Sequence, residues 1–419
     1  MNEKIRVALG ITIWAGVALC FLGAGISLFA TDEFDTIEPG SANTTEQRIE
    51  RVTPESVGID GDHLEHIATT MERYIALGTI DGGVVGIVRH DKLVYLEAFG
   101  RREHDGESMT TDTRFDLASL TKPVATATSV MQLVECGMLR MDERVSDIIP
   151  EFVDYVDPKS DETHYATISH LMSHTSGLRP YVALECLREE YPTAKRLDKS
   201  VMLDYIAHSE RLGAPGTVCR YSCLNYILLG EIVERRTGTP LNLYAESKIF
   251  KPLGMEKSCF TPDEEYRTLC APTSPWDAEE ELRGVVNDPL AREVMAGVSG
   301  NAGLFSTAED LAIYSAMVLN GGVWNGVKIV TPMSIEVLFS RPYEEHMRTM
   351  AWEQLEAEFP TSETTYTHNG ATGTSILLDR ERDMAIILLT NRTHAKGSSS
   401  DIKQLRSSVR TICSYAICE

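Results

Sequence analysis

The sequence predicts a mixed α/β fold of the α+β kind, in which one antiparallel sheet is assembled from both ends of the chain. Residues 83–100 (GVVGIVRHDKLVYLEAFG) contain two runs of β-favouring residues around a polar turn, and residues 374–391 (TSILLDRERDMAIILLTN) repeat this pattern. Each segment is typical of a β-hairpin. Because the segments between them have mostly helical patterns, we expect the hairpins to meet in one sheet that helices flank.

Three segments between the hairpins have the spacing and end signals of helices. Residues 125–139 form an apolar helical run, and residues 225–237 form another that Gly238 would terminate. Residues 306–322 form a third, in which one of the first two residues is the candidate N-cap and acidic residues follow in the first turn. Helices are therefore expected in the middle of the chain and strands near its two ends.

The first thirty residues differ from the rest of the chain. An uncharged apolar run, residues 7–30, follows two basic residues and precedes an acidic stretch. It is long enough to span a bilayer, which needs about 20 residues, and the flanking charges place the N-terminus inside. A cleaved secretory signal is the alternative, but Leu28 stands where cleavage requires a small residue. We favour residues 1–31 as a cytoplasmic stub and transmembrane anchor, 32–50 as a polar linker and 51–419 as an extracytoplasmic domain.

Composition and cysteine spacing narrow the possible partners and bonds. The 419 residues carry a formal net charge of −23, which argues against nucleic acid because that binding needs basic residues. Eight of the nine cysteines lie beyond the apolar run, in a location that permits disulfides. Spacing alone does not decide between the bridges Cys259/Cys270 and Cys413/Cys418 and free thiols.

Ser119 and Lys122 form a candidate catalytic pair. They stand where a strand-like segment gives way to a helical run. Residues three apart on a helix share a face, so Lys122 can reach the Ser119 hydroxyl, and a helix N-terminus favours an oxyanion. The same spacing recurs at Ser400 and Lys403, in a polar run that we interpret as a loop. The spacing alone is therefore weak evidence, and the surrounding motifs have to decide.

Three histidines raise the question of a metal site. His170 and His174 lie one helical turn apart and His164 precedes them, but no acidic residue follows His170 as in His-Glu-x-x-His. We therefore expect no metal and no other cofactor.

Four further motifs follow the serine in order. They are ATISHLMSHTSGL (166–178), APGTVCRYSCLNYILLGEIVERRTG (214–238), GVVNDPLAREVMAGVSGNAGLFSTAEDLA (284–312) and YTHNGATGTSILLDRERDMAIILLTNRTH (366–394). In this order the chain, from about Arg51 to His394, resembles the serine β-lactamase and penicillin-binding-protein superfamily, in particular the class C β-lactamase-like serine hydrolases. The resemblance implies a five-stranded antiparallel sheet flanked by helices with an inserted all-helical domain, and catalysis through an acyl-enzyme without a cofactor.

The resemblance also implies a role for each matching residue. Ser119 would be the acylated nucleophile, Lys122 the base that activates it, and Tyr221 the proton relay to the leaving group. His368 would donate a hydrogen bond or a positive charge into the cleft. The backbone N–H groups of Ser119 and Ala371 would form the oxyanion hole, in which each donor contributes about 3 kcal/mol in the transition state.

The chain departs from the family pattern at several positions around the cleft. Cys223 stands where the family has an asparagine, or sometimes an aspartate, that contacts the substrate amide, and a thiol is a poorer hydrogen-bond partner. Asn369 replaces a threonine that helps to hold a substrate carboxylate, beside Gly370, which would keep this strand close to the substrate. Asn287 and Asn301 stand where related sequences often have histidine. The acylation residues are thus retained, whereas the recognition residues have changed.

The substrate stays open at this point. One possibility is a D-alanyl carboxypeptidase or β-lactamase that acts on a small molecule or peptide derived from the cell wall. The other is an esterase or a D-amino-acid-specific peptidase. From a different class, the alternative is a non-catalytic protein of the same fold that binds cell-wall peptides or β-lactams.

Overall fold

The computed structural model describes residues 48–103, 106–275, 280–343, 346–355 and 360–418. The predicted anchor at residues 1–31 and most of the predicted linker lie outside these ranges. None of the helices in the described ranges combines the length and the apolarity that a bilayer span requires. The fold has begun by Ile49, which is buried, and the Glu50 carbonyl accepts a hydrogen bond from the Leu93 N–H at 2.9 Å.

The described residues form 13 strands and 14 α-helices. In chain order the strands are β1 Gly82–Arg89, β2 Lys92–Gly100, β3 Phe115–Asp116, β4 Tyr155–Val156, β5 Thr163–His164, β6 Cys259–Phe260, β7 Leu304–Ser306, β8 Val323–Trp324, β9 Val327–Lys328, β10 Glu353–Gln354, β11 Thr365–Asn369, β12 Ser375–Asp379 and β13 Met384–Thr390. The α-helices are α1 Gly61–Leu64, α2 His66–Ala76, α3 Thr128–Glu135, α4 Val145–Ile148, α5 Ile168–Met172, α6 Leu184–Glu190, α7 Lys199–His208, α8 Cys223–Thr237, α9 Leu241–Ala245, α10 Lys251–Leu253, α11 Glu264–Arg267, α12 Ala308–Leu319, α13 Pro332–Phe339 and α14 Ser399–Tyr415. Short 3₁₀-helices occupy Pro54–Val57 and Ala118–Leu120, and short π-helices occupy Lys122–Ala127, Glu246–Phe250 and Leu290–Val294.

The main sheet is antiparallel and has six strands in the order β10–β11–β12–β13–β1–β2. The two predicted hairpins are confirmed as the pairs β1–β2 and β12–β13, and β1 lies beside β13, so the two ends of the chain meet in one sheet. The expectation of five strands is wrong by one edge strand. The additional strand is β10, whose two polar residues pair with Tyr366 and Thr367. A polar strand of this length has no alternating apolar pattern that could reveal it.

Helices cover both faces of the main sheet. On one face, Met71 of α2 and Leu405 of α14 belong to the same apolar core as Ile386 of β13. On the other face, the neighbouring residue Ile387 belongs to the core of the larger helical part. Successive residues of β13 thus enter separate cores, as the period of two along a strand requires.

Between β2 and β10 helices are interspersed with the short strands β3 to β9, so the inserted all-helical domain that the resemblance implies stays a prediction. Helix α8 ends at Gly238 (φ 65°), as predicted. Helix α12 begins after Thr307, whose side chain accepts a hydrogen bond from the Asp310 N–H at 3.3 Å, so this residue is the N-cap. The helix predicted at residues 125–139 instead extends from Lys122 to Glu135, in two consecutive segments.

The eight cysteines in the described residues are free thiols. The pairs Cys259/Cys270 and Cys413/Cys418 are therefore not bridged, and the free-thiol alternative applies. Cys270 and Cys413 are buried, and burial raises the pKa of both thiols. These two thiols are consequently protonated at neutral pH.

A second, three-stranded sheet in the order β3–β7–β6 leads the chain into the candidate site. Strand β3 ends at Asp116, and the helical segment that becomes α3 begins at Lys122. Ser119 thus lies in the turn between a paired strand and a buried helix. Because β11 of the main sheet contacts this turn, the site forms where the sheet meets the helical part.

Candidate active site

Ser119 lies in the short turn Ala118–Leu120, which has an unusual backbone conformation. Ala118 has a φ of 47°, in the left-handed region that residues other than glycine rarely adopt. Such a conformation costs on the order of 1–3 kcal/mol and persists only where the surroundings enforce it. Strain of this kind next to a candidate nucleophile is typical of a functional turn.

The carboxylate of Asp116 enforces this conformation. One oxygen accepts a hydrogen bond from the Ala118 N–H at 2.8 Å, and the other accepts one from the Asn287 N–H at 2.7 Å. Burial raises the pKa of the Asp116 carboxyl to about 6, even though the two backbone donors lower it. Asp116 therefore ties the serine turn to the segment of Asn287, with Asn287 contributing its backbone.

Lys122 is fully buried and contacts the serine directly. Its Nζ donates to Ser119 Oγ at 3.0 Å, to the Asn301 carbonyl at 2.9 Å and to Cys223 Sγ at 3.6 Å. Burial by itself lowers the pKa of Lys122, but the attraction of Cys223 and Tyr221 outweighs burial and raises the pKa above its ordinary value. Three acceptors match the three N–H donors of an ammonium. The resting site therefore holds Lys122 protonated, within hydrogen-bond distance of the serine.

Tyr221 lies beside this pair, as the family resemblance implies. Lys122 Nζ is 5.0 Å from the centre of the Tyr221 ring. The ring is 6.2 Å from that of His368, which approaches from β11. The structure thus brings together the four residues predicted as catalytic, Ser119 included, although they come from three separate parts of the chain.

His170 and His174 have structural roles in the segment before Tyr221. His170 Nδ1 accepts a hydrogen bond from the Thr167 N–H at 3.0 Å and so caps α5. His174 Nδ1 accepts one from the Ser222 N–H at 3.1 Å, and its ring packs 4.5 Å from that of Tyr221. Burial lowers the pKa of His174 well below its ordinary value. A neutral imidazole therefore supports Tyr221 from behind.

Cys223 is the first residue of α8 and faces Lys122. Burial raises the pKa of its thiol, whereas the neighbouring charge of Lys122 lowers it. Sulfur is a weak hydrogen-bond partner, and the Sγ–Nζ distance here is 3.6 Å. This geometry supports the prediction that Cys223 holds Lys122 and a substrate amide less firmly than an asparagine would.

His368 enters the site from β11 as a neutral group. The side chain is 3% exposed, and burial together with the charges of Arg348 and Lys122 holds the pKa of His368 well below its ordinary value. Its Nδ1 has no hydrogen-bond partner among the described residues. Of the two roles that the family resemblance implies, the structure therefore favours a hydrogen bond over a positive charge.

Asn369 lies on the opposite side of β11, because successive strand residues point to opposite faces. Together with Thr367 and Arg406 it lines a cavity of about 280 Å³ between the sheet and α14. The structure therefore does not bring Asn369 to Ser119, unlike the other predicted residues.

Gly370 allows β11 to approach the serine turn closely. A Cβ atom on this residue would lie 2.5 Å from the Leu117 carbonyl oxygen, a distance that no side chain tolerates. Thr374 fastens the same contact, since its hydroxyl donates to the Leu117 carbonyl at 3.0 Å. The role predicted for Gly370, a close approach of its strand, thus has a specific steric cause.

Arg406 of α14 orients the peptide group that follows Gly370. Its Nη2 donates to the Gly370 carbonyl at 3.0 Å and to the Thr374 carbonyl at 2.8 Å. In a trans peptide the carbonyl and the next N–H point in opposite directions. The Ala371 N–H is therefore directed to the face of the sheet that α14 does not cover, where the Ser119 turn lies. No sequence motif indicated Arg406, although this orientation suits the predicted oxyanion hole.

Arg348 is a further cation at the site that no sequence motif indicated. Its guanidinium carbon lies 4.8 Å from the centre of the Tyr221 ring, and its Nη2 lies 2.9 Å from Glu353 Oε2. The Arg348 side chain is 22% exposed, whereas Lys122 is fully buried. The site therefore has an inner cation on the serine and an outer cation that solutes can reach.

Comparisons with known proteins bear on the family and the fold of this chain. The family model described as Beta-lactamase matches residues 67–409. A protein of Escherichia coli (strain K12), provisionally named as a D-alanyl-D-alanine carboxypeptidase, is 28% identical over 378 residues, which are 82% of this chain and 85% of that protein.

Two solved structures show the same fold. EstCE1, described as a hydrolase with promiscuous acyltransferase activity, has a TM-score of 0.67 at 22% identity and covers 85% of this chain and 99% of its own. A class C beta lactamase has a TM-score of 0.65 at 19% identity and covers 84% of this chain and 97% of its own.

Proposed function

The chain belongs to the β-lactamase family of serine hydrolases, and we propose that it cleaves an amide or ester bond through an acyl-enzyme formed on Ser119. The observation that carries this proposal is the hydrogen bond of 3.0 Å between Nζ of the buried Lys122 and Oγ of the partly exposed Ser119. A nucleophilic serine needs an adjacent group that removes its proton, and the Lys122–Tyr221 pair lies where that group has to be.

Each step of the reaction uses a group described above. Lys122 first releases one ammonium proton to solvent. Ser119 Oγ then bonds to the substrate carbonyl carbon while its proton passes to the Lys122 amine, beside Tyr221. The N–H groups of Ser119 and Ala371 stabilise the oxyanion. The bond to the leaving nitrogen or oxygen then breaks, and the leaving group takes up the proton. Water repeats the attack on the acyl-enzyme, releases the acid and regenerates Ser119.

Two substrate classes are supported by different observations. The name of the Escherichia coli relative favours a D-alanyl peptide, and the similarity to a class C beta lactamase favours a β-lactam. Cys223 favours an ester. The asparagine that this cysteine replaces would contact a substrate amide, and an ester substrate does not need that contact. The structure of EstCE1, a hydrolase with acyltransferase activity, is consistent with the ester.

The test uses the full chain in detergent with a fluorophosphonate probe and, separately, with a penicillin, followed by intact mass over time. We expect one adduct in the wild type, none in Ser119→Ala and an unchanged adduct in Ser400→Ala, since Ser400 has the same sequence spacing to a lysine. Wild-type protein that reacts with neither reagent would overturn the proposal and favour the non-catalytic alternative.

The penicillin reaction also separates the substrate classes. A lasting adduct indicates a penicillin-binding carboxypeptidase, and an adduct that clears with release of opened drug indicates a β-lactamase. A fluorophosphonate adduct without a penicillin adduct indicates an esterase or another peptidase.

We further propose that residues 7–30 anchor the chain in a membrane, with the hydrolase domain on the extracytoplasmic side. Their length and apolarity support this. The protein is expected to stay in the membrane pellet after alkaline carbonate extraction, with an intact mass that includes Met1. A mature protein that begins after Ala30 would show a cleaved signal instead.

A further inference from the structure

The cavity between the main sheet and α14 contains a concentration of positive charge. Lys403, Arg406 and Arg410 of α14 all line it, and their spacing of three and four residues places them on one face of the helix. Among the described residues, no acidic side chain lines this cavity of about 280 Å³. The whole chain has 39 lysines and arginines against 62 aspartates and glutamates. Three cations together without an acid therefore stand out from the general composition.

The two arginines of this face have no carboxylate partner within the part of the chain that the structure describes. The hydrogen bonds of Arg406 go to backbone carbonyls, and Arg410 Nη2 donates to Ser407 Oγ at 3.3 Å. The Nε atoms of Arg406 and Arg410 are buried, and no described residue accepts a hydrogen bond from either. A buried N–H without an acceptor and a buried charge without a counter-charge both cost free energy. An anion in the cavity removes both costs.

The pKa of Arg406 is consistent with this imbalance. Burial and the positive charge of Arg392 lower the pKa of Arg406 from its ordinary value to about 10, which leaves the guanidinium charged at neutral pH. Both causes disfavour the charged form, whereas an opposite charge nearby favours it. The position therefore gains stability from an anionic ligand.

The apolar part of the cavity indicates what kind of anion fits. Asn369 and three residues with hydroxyl groups complete the polar lining. The apolar side chains come from both walls and are Leu355, Leu377, Ile386, Leu388 and Val409. Ligand pockets have volumes from about 300 Å³ upward, so this cavity suits a small molecule. An inorganic anion would leave the apolar surface uncovered, and a neutral lipid would leave the cations unpaired.

We propose that this cavity binds a single-chain aliphatic carboxylate, with its head group at Arg406 and Arg410 and its tail against β12 and β13. A carboxylate has two acceptor oxygens, which match in number the two Nε–H donors that lack a partner, and the exposed Lys403 adds to the attraction. The cavity lies on the opposite side of β11 from Ser119. Its ligand is therefore independent of the reaction proposed at that serine.

The test measures the binding of octanoate to the full chain in detergent by isothermal titration calorimetry. Hexanoate and acetate are the shorter probes, 1-octanol is the uncharged probe, and titrations into protein-free detergent correct for partition into micelles. Each buried methylene raises an association constant about fourfold, so the affinity should rise about 16-fold from hexanoate to octanoate. Acetate lacks the tail and 1-octanol lacks the charge, so both should bind at least about 10-fold more weakly than octanoate.

Three variants locate the head group. Arg410→Gln removes one guanidinium, and loss of a charge-assisted hydrogen bond should weaken octanoate binding about 10- to 100-fold. Lys403→Gln, at an exposed position where the substitution does not threaten the fold, should weaken it about two- to fivefold. Lys328→Gln is the matched control, because it removes the same charge from an exposed lysine of β9 that does not line the cavity. Its affinity for octanoate should equal that of the wild type.

Three results would each overturn the proposal. Wild-type protein that does not bind octanoate would show that the three cations are neutralised within the chain itself. Octanoate that binds no better than acetate or 1-octanol would show that the cavity does not recognise a charged head and an apolar tail together. Equal affinities in Lys403→Gln, Arg410→Gln and Lys328→Gln would place the ligand elsewhere on the protein.

Discussion

The chain contains the Ser-x-x-Lys spacing twice, and the two copies have opposite surroundings. In the first copy Lys122 is fully buried and donates to Ser119 at 3.0 Å. In the second copy Ser400 and Lys403 are exposed near the N-terminus of α14, where Ser400 Oγ lies 2.9 Å from Ser398 Oγ. An exposed ammonium is hydrated and screened, whereas a buried one has to satisfy its donors within the protein. The burial of the lysine, and not its spacing from the serine, therefore distinguishes the candidate catalytic pair from its copy.

The largest expected difference between the two copies follows from replacing the lysine of each. Lys122→Met keeps a similar volume but removes the ammonium that contacts Ser119, and general acid–base assistance contributes about 10²–10⁴-fold to a rate. We expect kcat/KM for a reactive thioester to fall by that factor. Lys403→Met should leave kcat/KM within about twofold, as expected for an exposed side chain. Equal effects of the two substitutions on kcat/KM would show that burial of the lysine does not distinguish the two copies.

The buried carboxyl group of Asp116, which holds the Ser119 turn, predicts that the free energy of unfolding depends on pH. The second copy has no such group in contact with its serine among the described residues. The pKa of Asp116 is about 6 in the folded protein, above the value of about 3.9 in an unfolded chain. The stabilisation from its proton is therefore fully present below about pH 4 and is lost as the pH rises through about 6. The difference between the two pKa values corresponds to about 3 kcal/mol.

Asp116→Asn isolates this contribution. The free energy of unfolding of the wild type minus that of the variant should fall by about 3 kcal/mol between pH 4 and pH 7.5, as measured by urea denaturation at a series of pH values. A difference that does not change with pH would contradict the raised pKa of this carboxyl.

Helix α14 contains the second copy, and its Arg406 also contacts the candidate active site through the Gly370 carbonyl. Arg406→Gln removes the donor that orients the peptide between Gly370 and Ala371, and a misdirected oxyanion donor should reduce kcat by about 10-fold, less than the loss of a whole donor. Arg410→Gln is the control, since Arg410 lies on the same helix and donates to Ser407. A loss in KM without a loss in kcat would mean that Arg406 does not act on the oxyanion.

The smallest expected effect concerns Cys223. In Cys223→Asn an amide oxygen replaces the thiol that faces Lys122, and one additional hydrogen bond contributes about 1 kcal/mol. The ratio of kcat/KM for an amide or penicillin to that for a matched ester should therefore rise about fivefold. Cys219→Asn, at a cysteine that does not contact Lys122, should leave this ratio unchanged. A lower ratio in Cys223→Asn would show that the thiol is adapted to an amide substrate.

Sequence patterns could predict the elements that have strong local signals. The two hairpins and α8 follow from apolar alternation and from a terminal glycine, and the ordered motifs predicted the convergence of Ser119, Lys122 and Tyr221. The interpretation of the segment around Ser400 as a loop was wrong, because α14 begins at Ser399. The apolar residues of this helix recur at three- and four-residue intervals, Ile402, Leu405, Val409 and Cys413, a pattern that could have revealed it.

The remaining features depend on contacts between distant segments. Arg348 and Arg406 resemble any other arginine in the sequence, and only the fold places one against Tyr221 and the other behind Gly370. The side of β11 on which Asn369 lies follows from the register of the strand against its neighbours. The left-handed conformation of Ala118 is imposed by Asp116 and is not favoured by alanine itself.

The pairing of β1 with β13 has a consequence for the biosynthesis of the protein. It joins residues such as Gly83 and Thr390, so the centre of the sheet cannot close until almost the whole chain has been translated. At about 5–20 residues per second, roughly 300 intervening residues take about 15–60 s to synthesise. During this time the apolar edge of β1 is open to pairing with other chains. A ribosome that stalls before β13 therefore releases a product that contains Ser119 and Lys122 but has an unprotected, aggregation-prone strand.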